Sequence, residues 1–125
     1  MKTQRTFSRI EELKWSRKKA HARLIKFGSP VYKKFLELEE AAYAERALDR
    51  KTKLLIGTSV SIVVNCEACM QWHVEEAAAA GATAEELIEA VEVAIKMGGA
   101  PAVVAARLAL EVMDGIFKAR GGRAS

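Results

Sequence analysis

The chain has 125 residues, half of them hydrophobic, which is enough for one buried core and excludes a disordered chain. Two prolines among abundant alanine, leucine, glutamate and lysine point to an all-α fold. The net charge of +4 comes from the ends (Arg5, Arg9, Lys14, Arg17, Lys18, Lys19, Arg23 and Lys26, then Lys118, Arg120 and Arg123); without a binding motif or interleaved aromatics it reads as a solvated helix face and a basic tail, with no nucleic-acid partner.

Taken in chain order, Thr6 to Phe27 is a charged helix with Phe7, Ile10, Leu13, Leu24 and Phe27 at roughly helical spacing. Gly28-Ser29-Pro30 ends it; Ser29 caps the next helix and Pro30 fits its first position. That helix is expected to reach about Ala47 with Val31, Phe35, Leu38, Ala42 and Tyr43 inward. Asp49 caps a third helix, Arg50 to Val64. Its β-branched end (Val60, Ile62, Val63, Val64) would suit a strand, but Leu55, Ser59, Ile62 and Cys66 keep a helical period and no partner strand is visible. A fourth helix runs from about Cys66 to Ala80 and stops at Gly81. Thr83 and Glu86 form a capping box for a fifth, with Leu87, Ala90, Val91, Ala94 and Ile95 leading to Met97. Gly98-Gly99-Ala100-Pro101 breaks it before a last helix, about Ala102 to Ala119, with Val103, Ala106, Leu110, Met113 and Phe117 inward. The expected organisation is a single domain of about six helices: N-terminal helices over 1–47, a core over 48–119 and a flexible tail over 120–125. Its alanine runs either allow close helix approach or are simply good helix formers. With only 8 aromatic residues the monomer core is thin, which favours a homo-oligomer.

Residues Cys66 to His73 read Cys-Glu-Ala-Cys-Met-Gln-Trp-His and hold both cysteines and one of the two histidines. Cys66, Cys69 and His73 lie at i, i+3 and i+7, one face of a helix. Cysteines in this spacing can bridge, and the helix N-terminus with an imidazole nearby favours the thiolate. A zinc site is the first alternative. Cys66, Cys69, His73 and distant His21 would supply ligands, but no second ligand pair exists, so no metal is expected. Two packed, inert cysteines are the second alternative.

From Leu48 to about Ala109 the chain resembles the carboxymuconolactone decarboxylase and alkylhydroperoxidase D superfamily. The resemblance lies in Leu-Asp-Arg-Lys-Thr-Lys-Leu-Leu-Ile-Gly, Asn-Cys-Glu-Ala-Cys-Met-Gln-Trp-His, Ala-Ala-Ala-Ala-Gly-Ala-Thr-Ala-Glu-Glu-Leu-Ile-Glu-Ala and Met-Gly-Gly-Ala-Pro-Ala. It implies an all-α bundle assembled as a trimer or hexamer. It further implies a dithiol that reduces peroxide and is restored by a lipoylated protein, with Cys69 peroxidatic, Cys66 resolving and His73 transferring protons. Two positions depart from the pattern. Leu54 stands where peroxidase members carry a relay glutamate, and Ala68 where a histidine can precede the second cysteine. Glu40, Glu45 and Glu67 are candidate replacements for that carboxylate.

The reading is a thiol-dependent peroxidase or disulfide reductase with catalytic Cys66, Cys69 and His73 and no cofactor. The alternative is a non-catalytic, oligomeric or redox-sensing member. Expected partners are other copies of the chain, a lipoylated protein or another dithiol reductant, and a peroxide or disulfide substrate. The first ten residues lack an apolar signal core, and the apolar stretch Leu54 to Val64 is too short to span a bilayer, so no membrane contact and a cytoplasmic location are expected.

Overall fold

The computed structural model describes residues 8–121. They form six helices: α1 (Arg9–Phe27), α2 (Pro30–Tyr43), α3 (Arg50–Val63), α4 (Glu67–Ala79), α5 (Ala84–Gly98) and α6 (Ala100–Ala119), with no strand among the described residues. The all-α expectation holds, including the β-branched end of α3. That segment stays helical because Leu54, Thr58, Ser61 and Ile62 bury a face at i, i+4, i+7 and i+8.

The chain divides into two compact units, Met1–Ala44 and Glu45–Ser125. In the first, a capping box opens α1: the Ser8 hydroxyl accepts from the Glu11 N–H at 3.1 Å, and the Glu11 carboxylate accepts from the Ser8 N–H at 3.0 Å. Gly28 closes α1 in the left-handed region, and Ser29 then accepts from the Tyr32 N–H at 3.0 Å. Helix α2 ends at Tyr43, short of Ala47, because Ala44 turns extended. No described residue of either helix is buried. The expectation that α2 turns Val31, Phe35 and Leu38 inward is therefore wrong: they are 77%, 54% and 64% exposed. Leu24 and Phe27 are likewise exposed, while Thr6 and Phe7 lie outside the described residues. The spacing marks an apolar face, but this unit contains nothing to cover it.

The second unit holds the core. Helix α3 packs on α4 and α5, and α6 packs on α4, α5 and α3. Asp49 caps α3 by accepting from the Thr52 N–H at 2.8 Å. Thr83 and Glu86 form the expected box on α5 at 3.0 and 2.9 Å. Arg50 pairs with Glu76 at 3.1 Å and Lys51 with Glu86 at 3.0 Å, tying the start of α3 to α4 and α5. Leu54, Ile62, Met70, Val74, Leu87 and Met113 fill the interior. Buried Ala77, Ala78, Ala94, Ala102, Ala106 and Ala109 line the helix contacts, so the alanines serve close approach.

Two helices bury slightly different faces from those the period suggests. On α3 the core side is Leu54 and Thr58, while Leu55 and Ser59 sit half-buried one position around. On α6, Ala106, Met113 and Phe117 are buried but Val103 and Leu110 are exposed. The junction of α5 and α6 needs its glycines. A Cβ on Gly98 would lie 2.8 Å from the Ala102 Cβ, and Gly99 adopts φ 70° and ψ −154°, a region that side chains disfavour.

Candidate functional site

The site is built by a sharp reversal between α3 and α4. Val64 is the last residue of the α3 cap, and Asn65 takes φ 56°. Asparagine enters the left-handed region more readily than most side chains. The turn lets the Cys66 N–H donate to the Ser61 carbonyl at 3.0 Å. Cys66 therefore sits just before α4, as its N-cap, rather than within the helix. Its sulfur occupies the place a serine or aspartate oxygen takes elsewhere, accepting from the Cys69 N–H at 3.2 Å.

Cys66 and Cys69 are joined as a disulfide with their Cα atoms 5.2 Å apart. Both cysteines are half-buried, at the open end of the helix rather than in the core. His73 follows Cys69 by one turn. Its Nδ1 lies 2.8 Å from the Cys69 carbonyl oxygen. A carbonyl only accepts, so Nδ1 carries the proton and Nε2 is the basic nitrogen. The Ser61 hydroxyl lies 3.3 Å from the same Nδ1 while donating to the Gly57 carbonyl at 2.6 Å. With its proton directed to Gly57, Ser61 offers lone pairs to the imidazole N–H. The Trp72 ring meets His73 edge-on at 4.9 Å between centroids. Disulfide, imidazole and serine thus form one cluster where α3 hands over to α4.

Cys66 and Cys69 meet as a disulfide, and the His73 imidazole lies one turn on, against the Cys69 backbone carbonyl. His21 is engaged elsewhere, with Nδ1 2.6 Å from the Tyr32 hydroxyl in the first unit. Among the described residues no group of three or more histidine, cysteine, aspartate or glutamate side chains is arranged to hold a metal ion. Leu54 is fully buried and shares its face of α3 with Thr58 and Ser61 at i+4 and i+7. The relay position thus lies two turns upstream of the serine that touches His73. Thr58, between them, donates to the Leu54 carbonyl at 2.9 Å. Of the candidate carboxylates, Glu67 opens α4 beside the dithiol, Glu40 lies on α2, and Glu45 starts the second unit. Ala68 is exposed on the first turn of α4.

Ser61 and Asn65 are site residues that motif reading overlooks. Each left a signal: a hydroxyl seven residues after Leu54 on the same helical face, and a residue tolerant of positive φ directly before a helix cap.

Comparison with known proteins agrees with this geometry. The sequence profile of the carboxymuconolactone decarboxylase family matches residues 29–112. Uncharacterized protein 4 of the cox locus of Paracoccus denitrificans is 39% identical over 89 residues, covering 71% of this chain and 80% of that protein. A carboxymuconolactone decarboxylase family protein from Legionella pneumophila superposes with a TM-score of 0.81 at 30% identity, over 85% of this chain and 95% of that one. A Thermotoga maritima family member, for which a part in antioxidative response has been suggested, gives 0.77 at 28% identity, over 91% and 98% of the two chains. The profile spans the helices that build the site, the solved relatives reproduce their arrangement, and on both grounds this chain belongs to the carboxymuconolactone decarboxylase family.

Proposed function

We propose that the chain is a dithiol oxidoreductase that reduces a peroxide, or a disulfide, at Cys66 and Cys69. The observation that carries this reading is the Cys66–Cys69 disulfide at the N-terminus of α4 with His73 one turn on. The suggested antioxidative role of the Thermotoga relative agrees with it.

In the proposed cycle the reduced Cys69 thiolate attacks one peroxide oxygen. The O–O bond breaks, Cys69 becomes a sulfenic acid, and the alcohol leaves with a proton. The Cys66 thiolate then attacks the Cys69 sulfur, expelling hydroxide that is protonated to water. The dithiol has given up two electrons, and the disulfide is the product. The cap position suits Cys66 to this second step, because the helix end holds it as a ready thiolate. His73 Nε2 accepts the Cys69 proton and returns it to the departing oxygen. An external dithiol, such as a lipoylated protein, restores the pair by exchange, with the stabilised Cys66 thiolate as the leaving group.

One observation favours the second reading, a redox-sensing or non-catalytic member. Leu54 places an apolar, fully buried side chain at the usual relay position, where it cannot carry a proton. Peroxide consumption with dihydrolipoamide as reductant tests the enzyme reading. Turnover lost in both Cys66→Ser and Cys69→Ser supports it. A disulfide that forms with peroxide but is never turned over would leave the sensing reading.

A further inference from the structure

The buried face of α3 carries two hydroxyls among its apolar side chains, those of Thr58 and Ser61, at 0% and 3% exposure. Each donates to the carbonyl four residues back on its own helix, Thr58 to Leu54 at 2.9 Å and Ser61 to Gly57 at 2.6 Å. That bond is enough to satisfy a buried hydroxyl. Ser61 does more. Its oxygen lies 3.3 Å from His73 Nδ1 on α4, and its main-chain carbonyl accepts the Cys66 N–H at 3.0 Å. One residue of α3 therefore touches both the cap cysteine and the imidazole.

The direction of the Ser61 proton decides what the contact with His73 can do. A hydroxyl has one proton and two lone pairs. With the proton on the Gly57 carbonyl, the side facing His73 is an acceptor, and its complement on the ring is an N–H. The Cys69 carbonyl, 2.8 Å from the same Nδ1, makes the same demand. That carbonyl belongs to α4, and in an α-helix it also serves the N–H four residues on, which is that of His73 itself. It moves with the helix that carries the histidine. The serine offers its lone pairs from a different helix, so through it the ring is held relative to α3 as well.

We propose that Ser61 is the positioning residue for His73: its hydroxyl, locked on the Gly57 carbonyl, holds the imidazole as the Nδ1–H tautomer and leaves Nε2 as the base. This rests on the dithiol reading above and adds the residue that sets the histidine for it. The hydroxyl selects the tautomer by geometry and brings no charge of its own. Cys66, through the Ser61 carbonyl, and His73, through the Ser61 hydroxyl, are held in one register across the turn at Asn65.

Ser61→Ala separates the two contacts, because it keeps the carbonyl that holds Cys66 and removes the hydroxyl that meets His73. Alanine also suits a helix interior. Two readouts on the reduced full-length protein test the proposal. The ring-nitrogen NMR resonances of His73 report its tautomer, with His21 as internal reference, and iodoacetamide alkylation near neutral pH reports the dithiol. Ser61→Ala should move the His73 resonances toward a mixture of tautomers and leave those of His21 in place. It should slow alkylation about 2- to 10-fold, the range that one net hydrogen bond supplies. Ser61→Thr returns the hydroxyl and should restore both readouts. Thr58→Val deletes the other buried hydroxyl of the same face and should leave both at wild-type values. His73 resonances unchanged in Ser61→Ala would overturn the proposal, and so would an equal change in Thr58→Val. Alkylation slowed by His73→Ala but untouched by Ser61→Ala would overturn it as well. Neither readout involves peroxide, so a protein that gives the expected signals yet turns over no peroxide would count against the oxidoreductase reading and leave the role of the serine standing.

Discussion

Helices α2 and α5 are nearly equal in length, at 14 and 15 residues, and both carry an apolar stripe at helical spacing. Helix α5 buries Ala84, Leu87, Val91 and Ala94, whereas α2 buries nothing. The difference is not in the stripes. It lies in whether the same chain supplies a facing surface, which α3 and α6 do for α5. A hydrophobic period reports that a face seeks cover and leaves open which chain provides it.

Substitution should separate the two units sharply. The largest loss is expected in the core. Leu54→Ala removes a fully buried side chain and should cost about 2–5 kcal/mol in chemical unfolding. Phe35→Ala on the exposed stripe should stay within about 0.5 kcal/mol in a monomeric sample. Equal losses would break the contrast. Leu54→Glu goes further, because it restores the relay carboxylate at the cost of burying a charge. If the variant folds, peroxide turnover should rise, and a folded variant without gain would exclude a relay through this position.

The α5–α6 junction comes next. Gly99→Val forces a β-branched side chain into a glycine backbone region and should cost about 1–3 kcal/mol. Gly28→Ala, at the α1 terminus, should disturb only the first unit, because a Cβ there meets open space. Thermal melts compare the two.

His73→Ala probes the site itself. Losing thiolate support worth one pKa unit corresponds to about a tenfold fall in alkylation rate near neutral pH. Stabilisation by the helix end remains, so reactivity should fall without vanishing. An unchanged rate would take the histidine out of the mechanism.

The smallest effect is acid loss at the caps. Hydrogen bonds from Thr52, first its hydroxyl and then its N–H, hold the Asp49 carboxyl below the usual carboxylate range. The Thr83 N–H, and then Lys51, do the same for Glu86. A lowered folded value means each cap contributes fully above the ordinary carboxylate value near pH 4 and fades as pH falls through the lowered one. Asp49→Asn keeps the cap without the titration, so its melting temperature should fall less than that of wild type below about pH 4.

Helix order, three of the caps (Ser29, Asp49 and the Thr83–Glu86 box) and the pairing of Cys66 with Cys69 one turn before His73 were legible in the sequence, because each depends on local spacing. What was not legible depends on contacts between elements. The core-facing side of α3 includes Thr58 and Ser61, polar residues whose hydroxyls donate to the Leu54 and Gly57 carbonyls of their own helix and so tolerate burial. Period-reading by hydrophobicity passes over such residues. The contact of Ser61 with His73 joins two helices across Asn65, whose positive φ sets the angle between them. The exposed stripe of α2 escaped for a different reason, since no feature of one chain's sequence says that its cover is missing.

The central claim is that Cys66 and Cys69 are a working dithiol, and counting thiols tests it most directly. Reduced protein is treated with one equivalent of hydroperoxide without oxygen, and free thiols and intact mass are then measured. The account predicts loss of both thiols per chain, a mass lower by two hydrogens, no covalent dimer, and full recovery with dihydrolipoamide. Thiols that survive the treatment in folded protein, or that disappear only into intermolecular dimers, would contradict it.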